Sequence, residues 1–516
     1  MRLDDDRLPR TRGPRVDGPA PPEPRRRAPQ TAPVVVWFRR DLRLHDNRAL
    51  AEAAGLGRPV VPLFVLDEES PRVRPLGGAS RWWLHQSLRS LAEDLAGLGL
   101  SLCLRRGPAS DVLREVVRET GAGRAVWNRC YEPASAARDT KIETTLRAAG
   151  VETESYAGSL LSEPGEILTG QGTPYKVFTS FWKRLRELYW MPEPHPVPRE
   201  PIPGPAIASA RLDDWGLQPT APDWAGGLKE TWEVGEAAAR RRLADFMADG
   251  VERYGIDRDR PDLEGSSRLS PHLHWGEIGP HQVWRAAAPM IEADAPGASG
   301  PEAQGESGPE ALLRELAWRD FSHHLLSDSP HMETDNWRTA FDRFPWGDDP
   351  QALAAWQQGR TGYPIVDAGM RELWHTGWMH NRVRMIAASF LTKDLLVHWR
   401  HGERWFWDTL VDADLANNVA NWQWVAGSGA DAQPFFRIFN PVRQAAKFDP
   451  AGAYVRRWVP EIARLPDRWL HQPWEAPPNA LSEAGIELGR DYPPPIVDHA
   501  SARHRALYAY EEMRNP

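Results

Sequence analysis

The run Val34-Val35-Val36-Trp37-Phe38 is apolar without interruption and is followed at once by charged and turn-forming residues. A strand that shows no polar alternation is buried on both faces, which is how strands of parallel sheets read. Similar short runs recur at Val60–Leu66, Leu100–Leu104 and Ala125–Trp127, and helical patterns accompany them at Asn47–Ala54, Ser80–Gly97, Ala109–Thr120 and Ala134–Ala149. This alternation predicts a parallel α/β sheet with Rossmann-like connectivity. No GxGxxG follows the first run, so no dinucleotide is placed there.

Beyond the sheet the pattern changes. Residues 192–230 are dense in Pro, Gly and Trp without periodicity, and from about 235 to 505 the sequence reads as helix with no clear strand. For 516 residues this implies two large domains with appendages. The expected division is a disordered Arg/Pro-rich tail at 1–32, an α/β domain at 33–165, a connector at 166–234 and a helical domain at 235–508 with a mobile insertion at 295–309. The tail has no apolar segment behind its arginines, so it is neither a secretory nor a twin-arginine signal, and a cytoplasmic location is expected. No apolar run approaches the ~18–20 residues of a membrane span. Lys+Arg 63 against Asp+Glu 71 gives −8, which excludes a protein basic all over but not a local basic groove. Cys103 and Cys130 form neither a disulfide framework nor a metal spacing. His272-x-His274 and His323-His324 also lack zinc spacing, so they read as helix-surface or core histidines and no metal is expected. No GxSxG elbow supports hydrolase chemistry.

The window 360–445 concentrates the chemistry. Tryptophan outnumbers the other aromatics, 25 against 14 Phe and 10 Tyr, and here it is interleaved with Arg, Asn and Asp where an ordinary core would be apolar. Buried polar groups need partners. A large polar, aromatic ligand inside a helical cup would supply them. Ser266, Ser267 and Ser270 precede a helical pattern, where hydroxyls and free N–H groups can hold a pyrophosphate or simply cap a helix.

Five motifs carry a resemblance: Trp37-Phe-Arg-Arg-Asp-Leu-Arg-Leu-His-Asp-Asn47, Gly265-Ser-Ser-Arg-Leu-Ser-Pro271, Glu315-Leu-Ala-Trp-Arg-Asp-Phe321, Gly377-Trp-Met-His-Asn-Arg382 and Asp412-Ala-Asp-Leu-Ala-Asn-Asn418 with Trp422-Gln-Trp424. In this order they resemble the photolyase/cryptochrome family, most closely its bacterial class I cyclobutane-pyrimidine-dimer (CPD) members. The resemblance implies an N-terminal Rossmann-like antenna domain and an all-α C-terminal domain that binds FAD. It implies cofactor contacts from Tyr254, Ser266, Ser267, Arg268, Leu269, Ser270, Arg319, Arg384, Asp412, Ala413, Asp414 and Asn418, with Arg384 paired to Asp412 and Asn418 facing the flavin N5. It implies a lesion pocket of Glu315, Trp318, Asn381, Arg382, Met385, Trp424 and Arg437, in which Glu315 and Asn381 bond the dimer's base edges. Trp346, Trp399 and Trp422 match a chain that carries electrons to the flavin; Trp374, Trp378, Trp405 and Trp407 are assigned to packing. The implied partner is damaged DNA, the activity that of a photo-lyase splitting the dimer by electron transfer from excited FADH⁻, and a monomer is expected. A cryptochrome-type photoreceptor and a (6-4) photolyase are the alternatives. Relatives that use folate place Asn-Glu two residues after Tyr-Glu, where this chain has Ala134-Ser135 after Tyr131-Glu132-Pro133. An antenna of 8-hydroxydeazaflavin beside Trp37–Asn47, or none, is therefore expected ahead of methenyltetrahydrofolate.

Overall fold

The structure, a computed structural model, describes residues 31–293 and 307–515. The expectations for the tail at 1–32 and the insertion at 295–309 lie almost wholly outside the described residues.

The α/β domain runs β1 (Val34–Phe38), α1 (Arg48–Gly55), β2 (Val60–Leu66), α2 (Gly78–Gly97), β3 (Cys103–Arg106), α3 (Ala109–Thr120), β4 (Arg124–Asn128), α4 (Pro133–Ala148) and β5 (Glu152–Tyr156). All strand pairs are parallel, in the order β3-β2-β1-β4-β5. The apolar run that opens the sheet is its central strand, buried along its whole length. Two strand expectations needed correction. β3 starts at Cys103 rather than Leu100, because Gly99 and the residues after it turn the chain out of α2. β5 was missed, because an edge strand keeps polar residues such as Glu152 and Glu154 on its wet side.

In open parallel sheets ligands sit where the strand order reverses, here between β1 and β4. Side chains of the chain itself meet at that point. Arg39 donates to Asp139 and to the Asn128 carbonyl, while Asn128 Nδ2 donates to Asp41 Oδ2 at 2.7 Å and to Asn47 Oδ1 at 2.9 Å. The guanidinium of Arg39 lies 4.3 Å over Trp37 and that of Arg138 lies 5.0 Å over it.

No named strand occurs beyond Tyr156 among the described residues. Five helices of the C-terminal part matter below: α5 (Ser270–Trp275), α6 (Gly308–Asp328), α7 (Asn381–Ser389), α8 (Trp399–Thr409) and α9 (Leu415–Ala426). The first family-like motif turns out to be a seam between the two domains. The N–H groups of Leu44 and His45 donate to Glu236 at 2.6 and 3.0 Å, Leu42 N–H reaches the Trp275 carbonyl at 3.1 Å, and Arg43 Nη1 reaches the Gly276 carbonyl at 3.0 Å. Gly276 has φ +67°, and a Cβ there would lie 2.1 Å from the Arg40 carbonyl oxygen, so only glycine admits this approach. No helix among the described residues is long and apolar enough to cross a membrane.

Candidate cofactor and substrate cavity

A cavity of about 510 Å³ opens in the helical domain. It gathers residues far apart in the chain. The loop before α5 gives Ser266, Ser267, Arg268, Leu269 and Ser270; α6 gives Glu315, Trp318 and Arg319; α7 gives Asn381, Arg382, Arg384 and Met385. The Asp412–Asp414 turn and α9 complete it with Asp412, Ala413, Asp414, Asn418, Trp422 and Trp424, and Tyr254 also lines it. Every expected cofactor residue is therefore present, and every expected lesion-pocket residue except Arg437.

The serine loop bends sharply. Arg268 sits at φ +50°, a left-handed conformation that non-glycine residues adopt at some strain, and Ser270 then opens α5. Ser270 Oγ donates to Asp412 Oδ2 at 2.6 Å, and Arg384 Nη2 donates to the same oxygen at 2.9 Å. The expected Arg384–Asp412 pair is thus formed. Asp414 caps α9, accepting from Asn417 N–H at 2.8 Å. Asn418 donates through Nδ2 to Glu403 Oε1 at 2.8 Å, and Glu403 pairs with Arg74 of the α/β domain at 2.6 Å. Its amide oxygen has no hydrogen-bond partner among the described residues.

Towards the mouth, Glu315 pairs with Arg258 at 2.7 Å and Trp318 stacks on Phe178 at 3.5 Å. Asn381 is exposed and Trp424 half-buried, so the outer half of the cavity is partly open. Arg382 pairs with Asp259 at 2.7 Å. His380 caps α7 by accepting from Arg382 N–H, and burial pushes its imidazole down to about 4, so it is a neutral acceptor.

Three expected residues lie elsewhere. Arg437 is on an exposed loop, where its carbonyl accepts from Lys393 Nζ at 3.1 Å; it does not line the cavity. Trp399 is buried at the start of α8 with Nε1 on Asn336 Oδ1 at 2.9 Å, and Trp346 is half-buried. The ring of His398 joins them, 5.0 Å from Trp346 and 5.6 Å from Trp399. Trp378 packs in the core with Trp232, Trp275 and Val411, as assigned, and it also lines the cavity, donates to Ser270 Oγ at 3.3 Å, and carries Arg268 5.0 Å over its ring. Trp374 departs from the packing assignment, being exposed with its ring stacked on Trp405 at 5.9 Å, whereas buried Trp407 donates to the Pro75 carbonyl at 2.9 Å.

Sequence reasoning missed Arg258, Glu403 and the histidines around Asp414. Arg258 and Glu403 sit in charged stretches that give no signal. The histidines were visible and read as bland, because their carboxylate neighbour is distant in sequence. His323 Nε2 lies 3.2 Å and His274 Nδ1 3.8 Å from Asp414 Oδ2. Burial opposes a charge on Asp414, yet these two imidazoles hold its carboxyl well below the usual range. Even so, no group of three or more His, Cys, Asp or Glu among the described residues could hold a metal ion.

The donor set fits FAD. Serine hydroxyls beside Arg268 and Arg319 suit a pyrophosphate, the free oxygen of Asn418 suits a ring N–H, and both His274 nitrogens are buried without a hydrogen-bond partner. Residues 34–203 match the family described as DNA photolyase, and 312–512 match the FAD binding domain of DNA photolyase. The deoxyribodipyrimidine photo-lyase of Agrobacterium fabrum is 49% identical over 490 residues, covering 94% of this chain and 99% of that protein. Cryptochrome-2 of Arabidopsis thaliana is 39% identical over 93% of this chain and 79% of its own length. The crystal structure of a bacterial class III photolyase from Agrobacterium tumefaciens superposes with a TM-score of 0.89 at 48% identity, covering 94% of this chain and 98% of that one. These similarities do not support the class I subdivision expected from the motifs.

Proposed function

The chain belongs to the photolyase/cryptochrome family, and on that premise we propose that it is a deoxyribodipyrimidine photo-lyase that repairs cyclobutane pyrimidine dimers in DNA with FAD under blue light. The observation that carries this reading is the meeting of two residue sets in one cavity. Ser266 to Ser270 with Arg384 and Asp412 form one set, and Glu315, Trp318, Asn381, Met385 and Trp424 form the other, and all of them line the cavity. Bound and reduced, FAD would supply the light-excited electron that opens the cyclobutane ring.

The chain's own groups do the rest. Ser266, Ser267, Arg268 and Arg319 would bind the pyrophosphate. Arg384 and Asp412 neutralise each other, so neither drags a stray charge into the cavity. Trp318, fixed by its stack on Phe178, and Trp424 form apolar walls against which a flipped, unstacked dimer fits while water is excluded. Glu315 orients the dimer by hydrogen bonding, and the ion pair with Arg258 at 2.7 Å holds that side chain in place. Arg382 and Arg437 reach the DNA backbone. The similarity to plant cryptochromes favours a photoreceptor as the second reading.

The test is purified full-length protein with a thymine-dimer oligonucleotide. Flavin absorption and dimer loss under blue light, but not in the dark, are expected. Flavin absorption without dimer loss by reduced protein would favour the photoreceptor.

A further inference from the structure

Three carboxylates line the cavity among the described residues: Glu315, Asp412 and Asp414. Glu315 is paired with Arg258 at 2.7 Å and Asp412 with Arg384 at 2.9 Å. Arginine does not give up its proton, so the charge at those two places is fixed. Asp414 is different. Its neighbours are His323 at 3.2 Å and His274 at 3.8 Å, both buried, and His274 itself lines the cavity. It is the cavity carboxylate whose counter-charge can be added or removed at neutral pH.

The surroundings restrict how that counter-charge behaves. Arg40, in the loop after β1, acts on both Asp414 and His274, but its own ion pair is with Glu132 at the start of α4, at 2.8 Å. Tyr131 lies edge-on to His323 with its hydroxyl on Glu163. Asp320, one turn before His323 on α6, accepts from the Leu161 and Ser162 N–H groups, with Arg319 Nη1 at 3.9 Å. Asn417 satisfies the other oxygen of Asp414. Burial and Arg40 both lower the affinity of His274 for a proton. Asp414 can balance one proton on the pair, and a second needs a further negative charge nearby.

We propose that His274 and His323 are positioning residues which share one proton beside Asp414 while bound FAD is oxidised and take up a second when it is reduced. The inference rests on the cavity holding FAD. Reduction balances as FAD + 2 e⁻ + H⁺ → FADH⁻, which leaves one extra negative charge. The additional proton comes from solvent to the unprotonated imidazole nitrogen, and no other bond is made or broken. The cavity then has the same net charge in both states, which favours the reduced form that repair requires.

The test is a potentiometric titration of FAD-loaded protein with dithionite as reductant and redox mediators, repeated from about pH 6 to about pH 8 across the histidine range. Flavin absorption is checked first, and its absence overturns the FAD reading and this inference together. For a two-electron couple each proton contributes about 30 mV per pH unit. A slope of about 60 mV per unit is expected of the native protein, and about 30 mV per unit of the double variant His274→Gln/His323→Gln, in which no imidazole is left beside Asp414 to take up a proton. A native slope near 30 mV per unit overturns the proposal without touching FAD binding. A steep slope that survives in the loaded double variant also overturns it, because the second proton then resides elsewhere, on the flavin or on buried Asp320 one turn from His323.

Discussion

Glu315 shows how one side chain is held by another that the sequence does not advertise. It is half-buried on α6, three residues before Trp318, and Arg258 reaches it from a separate segment at 2.7 Å. The spacing on α6 was readable, since residues three apart share a helical face. The partner was not, because Asp257-Arg258-Asp259-Arg260 looks like any solvated charged stretch. Removing the carboxylate has two effects. Under the proposed function a hydrogen bond from the reacting base to a charged acceptor is lost, worth roughly 1.5–3 kcal/mol, and Arg258 is left half-buried without its counter-ion. Glu315→Ala is expected to retain FAD, because the serine loop and the Arg384–Asp412 pair, which would hold the cofactor, are left in place. It should lower dimer affinity and repair yield by about tenfold, the equivalent of ~1.4 kcal/mol. Oligonucleotide binding in the dark and quantum yield under blue light measure the two separately. An unchanged yield would remove Glu315 from the mechanism.

At the scale of elements, what was legible followed the hydrophobic pattern, and what was not depended on contacts between segments. α3 matches its expected span because its apolar stripe is regular and Gly121 stops it in a left-handed conformation. β5 escaped because a polar edge strand has no such signature. The crossing of α8 and α9 also left no periodic mark. Gly402 lies there because a Cβ would stand 2.0 Å from Trp422 Cη2. Trp422 is thereby pressed between α8 and the cavity, which it lines. Gly402→Ala is expected to lower stability by about 1–3 kcal/mol through overpacking and to shift Trp422. Thermal unfolding followed with flavin fluorescence would show both. α8 also begins with Trp399, joined through His398 to Trp346. Trp346→Phe should block photoreduction of oxidised FAD while leaving repair by already reduced protein nearly intact. Normal photoreduction in that variant would mean that another indole, such as the stacked Trp374–Trp405 pair, carries the electron.

For the whole molecule, the seam between the two domains decides how firmly the cavity is held, and one buried carboxylate there makes its strength depend on pH. Asp320 of α6 is fully buried and grips the chain after β5 through the Leu161 and Ser162 N–H groups at 2.7 and 3.0 Å. Burial pushes its carboxyl up from 3.8 to about 7, only partly offset by Arg319, and its second oxygen has no hydrogen-bond partner. Because the folded-state value is the higher one, the folded form binds the proton more tightly than the unfolded chain. Its contribution is complete below 3.8 and is lost as the pH rises towards about 7, after which no more is lost. Asp320→Asn keeps an oxygen for both N–H groups and carries no charge at any pH. The difference in unfolding midpoint, variant minus native, should therefore grow in the variant's favour from about pH 4 to about pH 7 and then level off. Thermal unfolding of both proteins at matched ionic strength checks this. A constant difference across that range would mean that Asp320 stays ionised at the seam, held by Arg319 more strongly than burial opposes it.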